Sequence, residues 1–284
     1  MAAPGSVLIN QSVGEALRFV RENVRFIALV AALGAGGATL LSGAIMGLPA
    51  LGVIGLIASG FLQALVYAAF TAAVLYGAGA VPPRLVGDGL RVWAAMAILG
   101  FFLFIVFTVI SIPVLITMFA GPLAPYTEEL AAAGQDQAAV MSVMTRFAEE
   151  NPTALLAVAL FYCAIWILLT SRLYLAAPAS VDQGRVRVFD TWKWTKGAML
   201  RIVGARLLLL LPANIFVGAL GYLIGRGLGI DTMNMGAMAS AAAANPIGTL
   251  AYTFMSGFLT LALFSALEAG LSASLYRGLR PQSS

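Results

Sequence analysis

Apolar residues in this 284-residue chain neither alternate nor mark one stripe of a helix; they run on, nearly uninterrupted, for more than twenty positions at a time. Six such runs stand out, at 26–48, 51–77, 93–119, 153–177, 200–225 and 249–276. About 20 apolar residues in a helix cross the hydrocarbon core of a bilayer. Each run therefore predicts a spanning helix, and the fold expected is all-α: a polytopic membrane protein with six transmembrane helices in three hairpins, forming a single transmembrane domain over 1–284. The first two runs are rich in Gly and Ala and are the least apolar, so a re-entrant pair is the alternative there.

Between the runs the periodicity changes. Before the first, Val13, Leu17, Val20 and Val24 recur at helical spacing, with Arg18, Arg21, Glu22 and Arg25 on the other face. This predicts a helix lying at the membrane surface. Residues 188–199 carry Trp192 and Trp194 beside Lys193 and Lys196, an aromatic and basic belt of the kind found at interfaces. The segment 121–151 opens with Gly121-Pro122-Leu123-Ala124-Pro125, which should end the third span. Beyond it Leu130, Val140, Val143, Met144 and Phe147 form one apolar face, expected on a single amphipathic helix that rests on the bilayer or covers a cavity.

The charges sort by side. One set of termini and loops holds Arg18, Arg21, Arg25, Arg84, Arg91, Arg185, Arg187, Lys193, Lys196, Arg201, Arg277 and Arg280; the other holds Arg146 and Arg226 among Glu128, Glu129, Asp136, Glu149, Glu150 and Asp231. Basic residues mark cytoplasmic loops. Both termini are thus expected in the cytoplasm, and the first run, which follows three Arg, is expected to be an uncleaved anchor.

Composition narrows the chemistry. Only 10% of residues are charged, against about 25% in soluble domains. There is no His and one Cys, Cys163. His-bearing triads, most zinc sites, haem held by His and an internal disulfide are excluded. Cys163 sits in an apolar run and reads as a small buried residue. The net charge of +4 is accounted for by the loop bias, so no nucleic-acid partner is expected. Membrane lipids are the expected partners, with other proteins or further copies of the chain left open. No cofactor or metal is expected.

A threefold pattern runs through the chain. An acid followed three residues later by a base precedes each odd run: Glu15 and Arg18, Asp88 and Arg91, Asp190 and Lys193. Each even run opens near Pro49, Pro152 or Pro246 and closes on Leu-Tyr, as Leu75-Tyr76, Leu173-Tyr174 and Leu275-Tyr276. The stretch Arg172-Leu173-Tyr174-Leu175-Ala176-Ala177-Pro178-Ala179-Ser180-Val181-Asp182-Gln183-Gly184, with Asp190-Thr191-Trp192-Lys193-Trp194-Thr195-Lys196-Gly197 after it, resembles a signature of bacterial six-helix membrane proteins. That group is similar to the membrane domain attached to some glycerophosphoryl diester phosphodiesterases. The resemblance implies a bacterial inner-membrane protein. No soluble phosphodiesterase domain is present in these residues, so the catalytic half of the association is not expected to carry over.

Polar groups inside the runs are the candidate site. An ionisable residue within a span is a functional candidate because burying its charge in lipid is costly. Glu268 is the one acid inside a run; it lies eight positions before Tyr276, about 12 Å along a helix. Arg206 lies six positions after Leu200, about 9 Å along its own. The two are expected to form an ion pair, with Arg172 joining them or reaching to the interface. Pro212-Ala213-Asn214 falls mid-run; Asn214 could bond a freed carbonyl in a kinked or a discontinuous helix. Gly43 with Gly47, and Gly221 with Gly225, are expected where helices approach closely. The functional reading is a non-enzymatic membrane protein that scaffolds or supports envelope and lipid homeostasis. The alternative is a transporter or channel for a small or lipid-like solute, and a membrane-embedded enzyme is the reading favoured least. A polar or lipid-filled cavity would favour transport, and a tightly packed core scaffolding.

Overall fold

The computed structural model describes residues 9–232, 241 and 243–280. Among them there is no strand, and six helices are long and apolar enough to cross a membrane. The chain is an all-α, multi-pass membrane protein. A surface helix, α1 (Ile9–Glu22), precedes α2 (Val24–Gly47) and α3 (Gly52–Tyr76). Next come α4 (Leu85–Ala120), α5 (Thr127–Ala133), α6 (Gln137–Glu150), α7 (Pro152–Arg172), α8 (Ala176–Asp182), α9 (Asp190–Trp194) and α10 (Met199–Gly227). The last span, α11 (Pro246–Leu279), is helical throughout but passes through a π turn at Thr260–Ser265. Of the connection between α10 and α11, residues 233–240 and 242 lie outside the described residues. Both members of the first, Gly/Ala-rich pair are full-length helices, so neither is re-entrant.

Two boundaries differ from expectation. Helix α4 begins at Leu85, eight residues early, because the polar stretch around Asp88 is itself helical. Helix α7 stops at Arg172 and α8 restarts at Ala176. Pro178 explains the break: it has no N–H for the Tyr174 carbonyl and its ring would clash there, so it is tolerated only in the first turn of a new helix. By contrast α10 runs unbroken through Pro212, which makes it a proline-bearing continuous helix and not a discontinuous one.

The chain forms two compact units, Met1–Ile98 with Ser171–Ser284, and Leu99–Thr170. In the smaller unit α4 and α7 are joined by Tyr162, whose hydroxyl donates to Ser111 Oγ at 2.8 Å and whose ring stacks on Phe107 at 5.7 Å. The expected single amphipathic helix is two. Gly134, at φ +55°, turns the chain between α5 and α6. A small core of Leu123, Tyr126, Val143 and Phe147 forms where they pack, while Met144 is left exposed. Cys163 is exposed on α7, not buried. An apolar helix in a membrane turns most of its side chains to lipid, so hydrophobicity there does not imply burial.

In the larger unit burial is graded along the helices. From Ala64 to Ala73 nearly every residue of α3 is buried, and so are most from Ala266 to Tyr276 of α11, whereas the residues of the Gly52–Gln63 and Pro246–Ser265 stretches are nearly all half-buried or exposed. The packed half is built from small residues, with Ala68, Ala69, Ala72, Ala269 and Ala273 at or near full burial, while Leu33, Leu40, Val53 and Leu56 face outward. Association of helices in lipid relies on close van der Waals contact, which small residues permit. Surface helix α1 docks on this half. Its contact face is Ser12, Ala16 and Phe19, with Val13 and Val20 partly buried; Leu17 and Val24 of the expected apolar face are exposed. The tightest approach is Gly270 against Ala16, where a Cβ on the glycine would sit 3.1 Å from the Ala16 Cα. Among the glycines expected at helix contacts, Gly47 faces open space and Gly43 meets only the end of Leu250. Gly225 is crowded, but chiefly by Ile230 and Thr232 of the loop that follows.

Candidate functional site

The graded packing leaves a cavity of about 610 Å³ in the larger unit, between α2, α3 and α11. Helix α3 packs on the Ala266–Leu279 part of α11, whereas the Pro246–Leu259 part packs on α2 and α10. The cavity is the wedge between α3 and that diverging part. Along α11 its lining runs from Thr253 to Glu268, about 22 Å at the helical rise. The π turn lies within this stretch, where α11 changes partners. π turns recur at functional sites because the inserted residue re-aims the side chains around it.

The lining is mixed. Leu41, Ile45, Leu56, Leu62, Val66 and Met96 are apolar, while Ser42, Ser59, Gln63, Tyr67, Thr253, Ser256, Thr260, Ser265 and Glu268 are polar. Several of the hydroxyls are committed to their own helix. Thr253 donates to the Thr249 carbonyl at 2.9 Å, Ser256 to Tyr252 at 2.8 Å and Thr260 to Ser256 at 2.9 Å. Each such bond satisfies the hydroxyl hydrogen without a partner helix and leaves oxygen lone pairs facing the cavity. At the closed end Tyr67 Oη and Ser272 Oγ share a hydrogen bond of 2.9 Å.

Glu268 is at that closed end. The structure brings Arg206 within electrostatic reach of it, but the direct partners of Arg206 shown are others: its Nη1 donates to Ser171 Oγ at 2.8 Å, and its guanidinium lies 4.7 Å from the Tyr174 ring centre. Tyr174 in turn donates to the Glu268 backbone carbonyl at 3.3 Å. The expected Glu268–Arg206 pair is thus a coupling through space, with Tyr174 packed against one partner and bonded to the other. Arg172 goes elsewhere, its guanidinium 5.5 Å from the Trp192 ring centre in the basic belt. Asn214 is on α10, exposed, and is not among the cavity's lining residues.

A second polar centre, not singled out from the sequence, ties the helix ends at the packed face. The Asp182 carboxylate, at the end of α8, accepts from Tyr76 Oη at 2.8 Å and Tyr276 Oη at 2.7 Å and pairs with Arg280 at 3.3 Å. Arg84 lies over the Tyr76 ring at 4.2 Å and donates to the Val181 carbonyl at 3.1 Å. Arg277 donates to the carbonyls of Val74 and Leu75. The ends of α3, α8 and α11 therefore lie on one face, as three hairpins entering from the same side require. The signal was present: two of the three recurrent Leu-Tyr tyrosines meet on Asp182, the one acid between Arg172 and Gly184. The repeated acid–base pairs are not equivalent, however. Asp88 bonds Arg91 at 2.7 Å and also Arg84 at 3.2 Å, Glu15 accepts from Ser274 at 2.7 Å, and Asp190 pairs with Arg187.

No protein-family model, curated protein or solved structure matches the chain.

Proposed function

We propose that this chain binds a small amphipathic, lipid-like solute in the α2–α3–α11 cavity and carries it within or across the membrane. The observation that supports this reading is the cavity itself, walled by alkyl side chains and hydroxyls and ended by one carboxylate. Apolar walls with a few placed polar groups are the usual make-up of small-molecule sites. A chain whose task was only to scaffold would gain van der Waals contact by closing that wedge. The tightly packed half and the Asp182 centre supply the rigid support against which a solute site can be held. The reading is non-enzymatic: among the described residues, Glu268 is the only acid of the lining and neither Lys, Arg nor Cys joins it. The charge bias supports a cytoplasmic position for the packed, Arg-rich face, with the wedge open toward the outer leaflet. The signature resemblance adds a bacterial inner membrane as the setting.

The test is cavity occlusion. Ser59→Phe and Ser256→Phe each put an aromatic ring into the wedge from opposite walls. Proteoliposomes holding each variant are compared with wild type for movement of fluorescent alkyl solutes between leaflets. Both variants should fold and lose most of the protein-dependent rate. Wild-type proteoliposomes that move such solutes no faster than protein-free vesicles, or occluded variants as fast as wild type, would refute the proposal.

A further inference from the structure

We infer that the polar head of the solute is a cation, an amine or quaternary ammonium carried on an apolar chain, with Glu268 as its counter-charge. This rests on the cavity being a solute site and specifies what that site selects. Among the described lining residues Glu268 is the one charged side chain. No hydrogen bond or ion pair of its carboxylate is formed among the described residues. Arg206, the cation within reach of it, does not line the cavity and is engaged by Ser171 and Tyr174. The neighbouring wall adds acceptors, since Thr253, Ser256 and Thr260 spend their hydrogens on backbone carbonyls and present lone pairs.

A phosphate, sulfate or carboxylate head would therefore meet a carboxylate and a wall of acceptors. The donors left to it are all uncharged: the Gln63 amide, the hydroxyls of Ser42, Ser59 and Ser265, and a Tyr67 hydroxyl already shared with Ser272. A cation meets the reverse: an opposite charge at the closed end, held where surrounding protein lowers the dielectric and strengthens attraction. An alkyl chain would extend from that end along Val66, Leu62 and Leu41 toward the open part of the wedge.

The experiment uses the full chain in a neutral detergent and three probes that share a dodecyl chain: dodecyltrimethylammonium, a dodecyl glycerol ether and dodecyl phosphate. Binding is counted by native mass spectrometry. The cation should bind at least about tenfold more tightly than the neutral ether, a difference of about 1.4 kcal/mol, and the phosphate should bind weakest. Glu268→Gln should bring the cation down to the level of the ether and leave the ether unchanged. Gln63→Glu, which adds a second acid to the wall, should raise the preference and serves if Glu268→Gln does not fold. Equal binding of cation and ether, or a preference for phosphate, overturns the cationic assignment and leaves the cavity reading standing. Failure of all three probes to bind overturns both.

Discussion

Removal of the Asp182 carboxylate should loosen the packed face by an amount that can be worked from its contacts. Hydrogen bonds to a charged group contribute roughly 1.5–3 kcal/mol each. The Tyr276 side chain is only 1% exposed, so its hydroxyl has little water to turn to and the bond counts in full. Tyr76 is 39% exposed and its hydroxyl can be rehydrated, so that bond counts at the low end or below. Arg280 is half exposed, and such pairs contribute under about 1 kcal/mol. Asp182→Ala should thus cost about 3–4 kcal/mol. Asp182→Asn keeps one neutral acceptor oxygen and should cost about 2 kcal/mol. Tyr276→Phe should cost more than Tyr76→Phe, because burial differs between them. Trp194 lies 6.1 Å from the Tyr276 ring and offers a fluorescence report of the same contact. Thermal unfolding in detergent, followed by that fluorescence, should rank the variants Asp182→Ala, Asp182→Asn, Tyr276→Phe and Tyr76→Phe from least to most stable. An unfolding midpoint for Asp182→Asn equal to wild type, or equal losses for the two tyrosines, would refute the reasoning.

Two further outcomes follow from other contacts. Gly270→Ala forces a Cβ onto the Ala16 backbone, which cannot yield unless α1 moves; it should cost about 1–3 kcal/mol and speed tryptic cleavage after Arg18, Arg21 and Arg25, whereas Gly14→Ala, with nothing within 4 Å, should leave cleavage unchanged. The Tyr126 hydroxyl donates to Glu150, and this bond, with desolvation and the Glu150 charge behind it, holds its pKa above the usual phenol range. A folded pKa raised above the unfolded one contributes stability that is present below the unfolded pKa and is lost as pH rises through the folded one. Ultraviolet titration of tyrosinate, read as the difference from Tyr126→Phe, should show Tyr126 ionising late in wild type and earlier in Glu150→Gln; an unchanged difference curve would count against the bond.

The six spans were legible because their signal is length and polarity, which a bilayer imposes on any helix that crosses it. What lay inside the bundle was not, because the rule that reads burial from hydrophobicity reverses in lipid. Leu17, Val24 and Cys163 look like core residues and are exposed, while Ser12, Ser171, Ser272 and Thr71 are buried. Glu268 was legible as a site residue, since a lone acid in an apolar run is costly to place in a bilayer. Its geometry was not. Equal depth on adjacent helices suggested a direct pair with Arg206, but the break before Pro178 swings Tyr174 to where it both lies beneath Arg206 and bonds the Glu268 backbone. The Asp182 centre was hidden for a related reason. Its tyrosines end helices far apart in sequence, and only the placement of α8 brings the acid to them.

In the larger unit the same residue type both closes the packed half and opens the wedge, and the difference lies in what faces it. On the packed half small residues face small residues: Ala16 meets Gly270, and Ala68, Ala69 and Ala269 share one core, so backbones come together. Beside the wedge three glycines of α2 and α3 are filled by large side chains from the neighbouring helix. Ile45 occupies the space at Gly55, Leu62 that at Gly37, and Val66 that at Gly34. These knobs fasten α2 to α3. Helix α2 also packs extensively on the Pro246–Leu259 part of α11, with Gly257 against Ala35 and Gly43 against Leu250. The Pro246–Leu259 part of α11 thus leans on α2 and leaves α3, and the gap between them is lined by alkyl and hydroxylated side chains. Dispersion alone would favour closing such a gap. In this structure the π turn at Thr260–Ser265 lies between the part of α11 that packs on α2 and the part, tied to α3 by Tyr67 and Ser272, that closes the packed half. Glu268 therefore stands where the closed and open halves meet, with the packed residues behind it and the cavity in front.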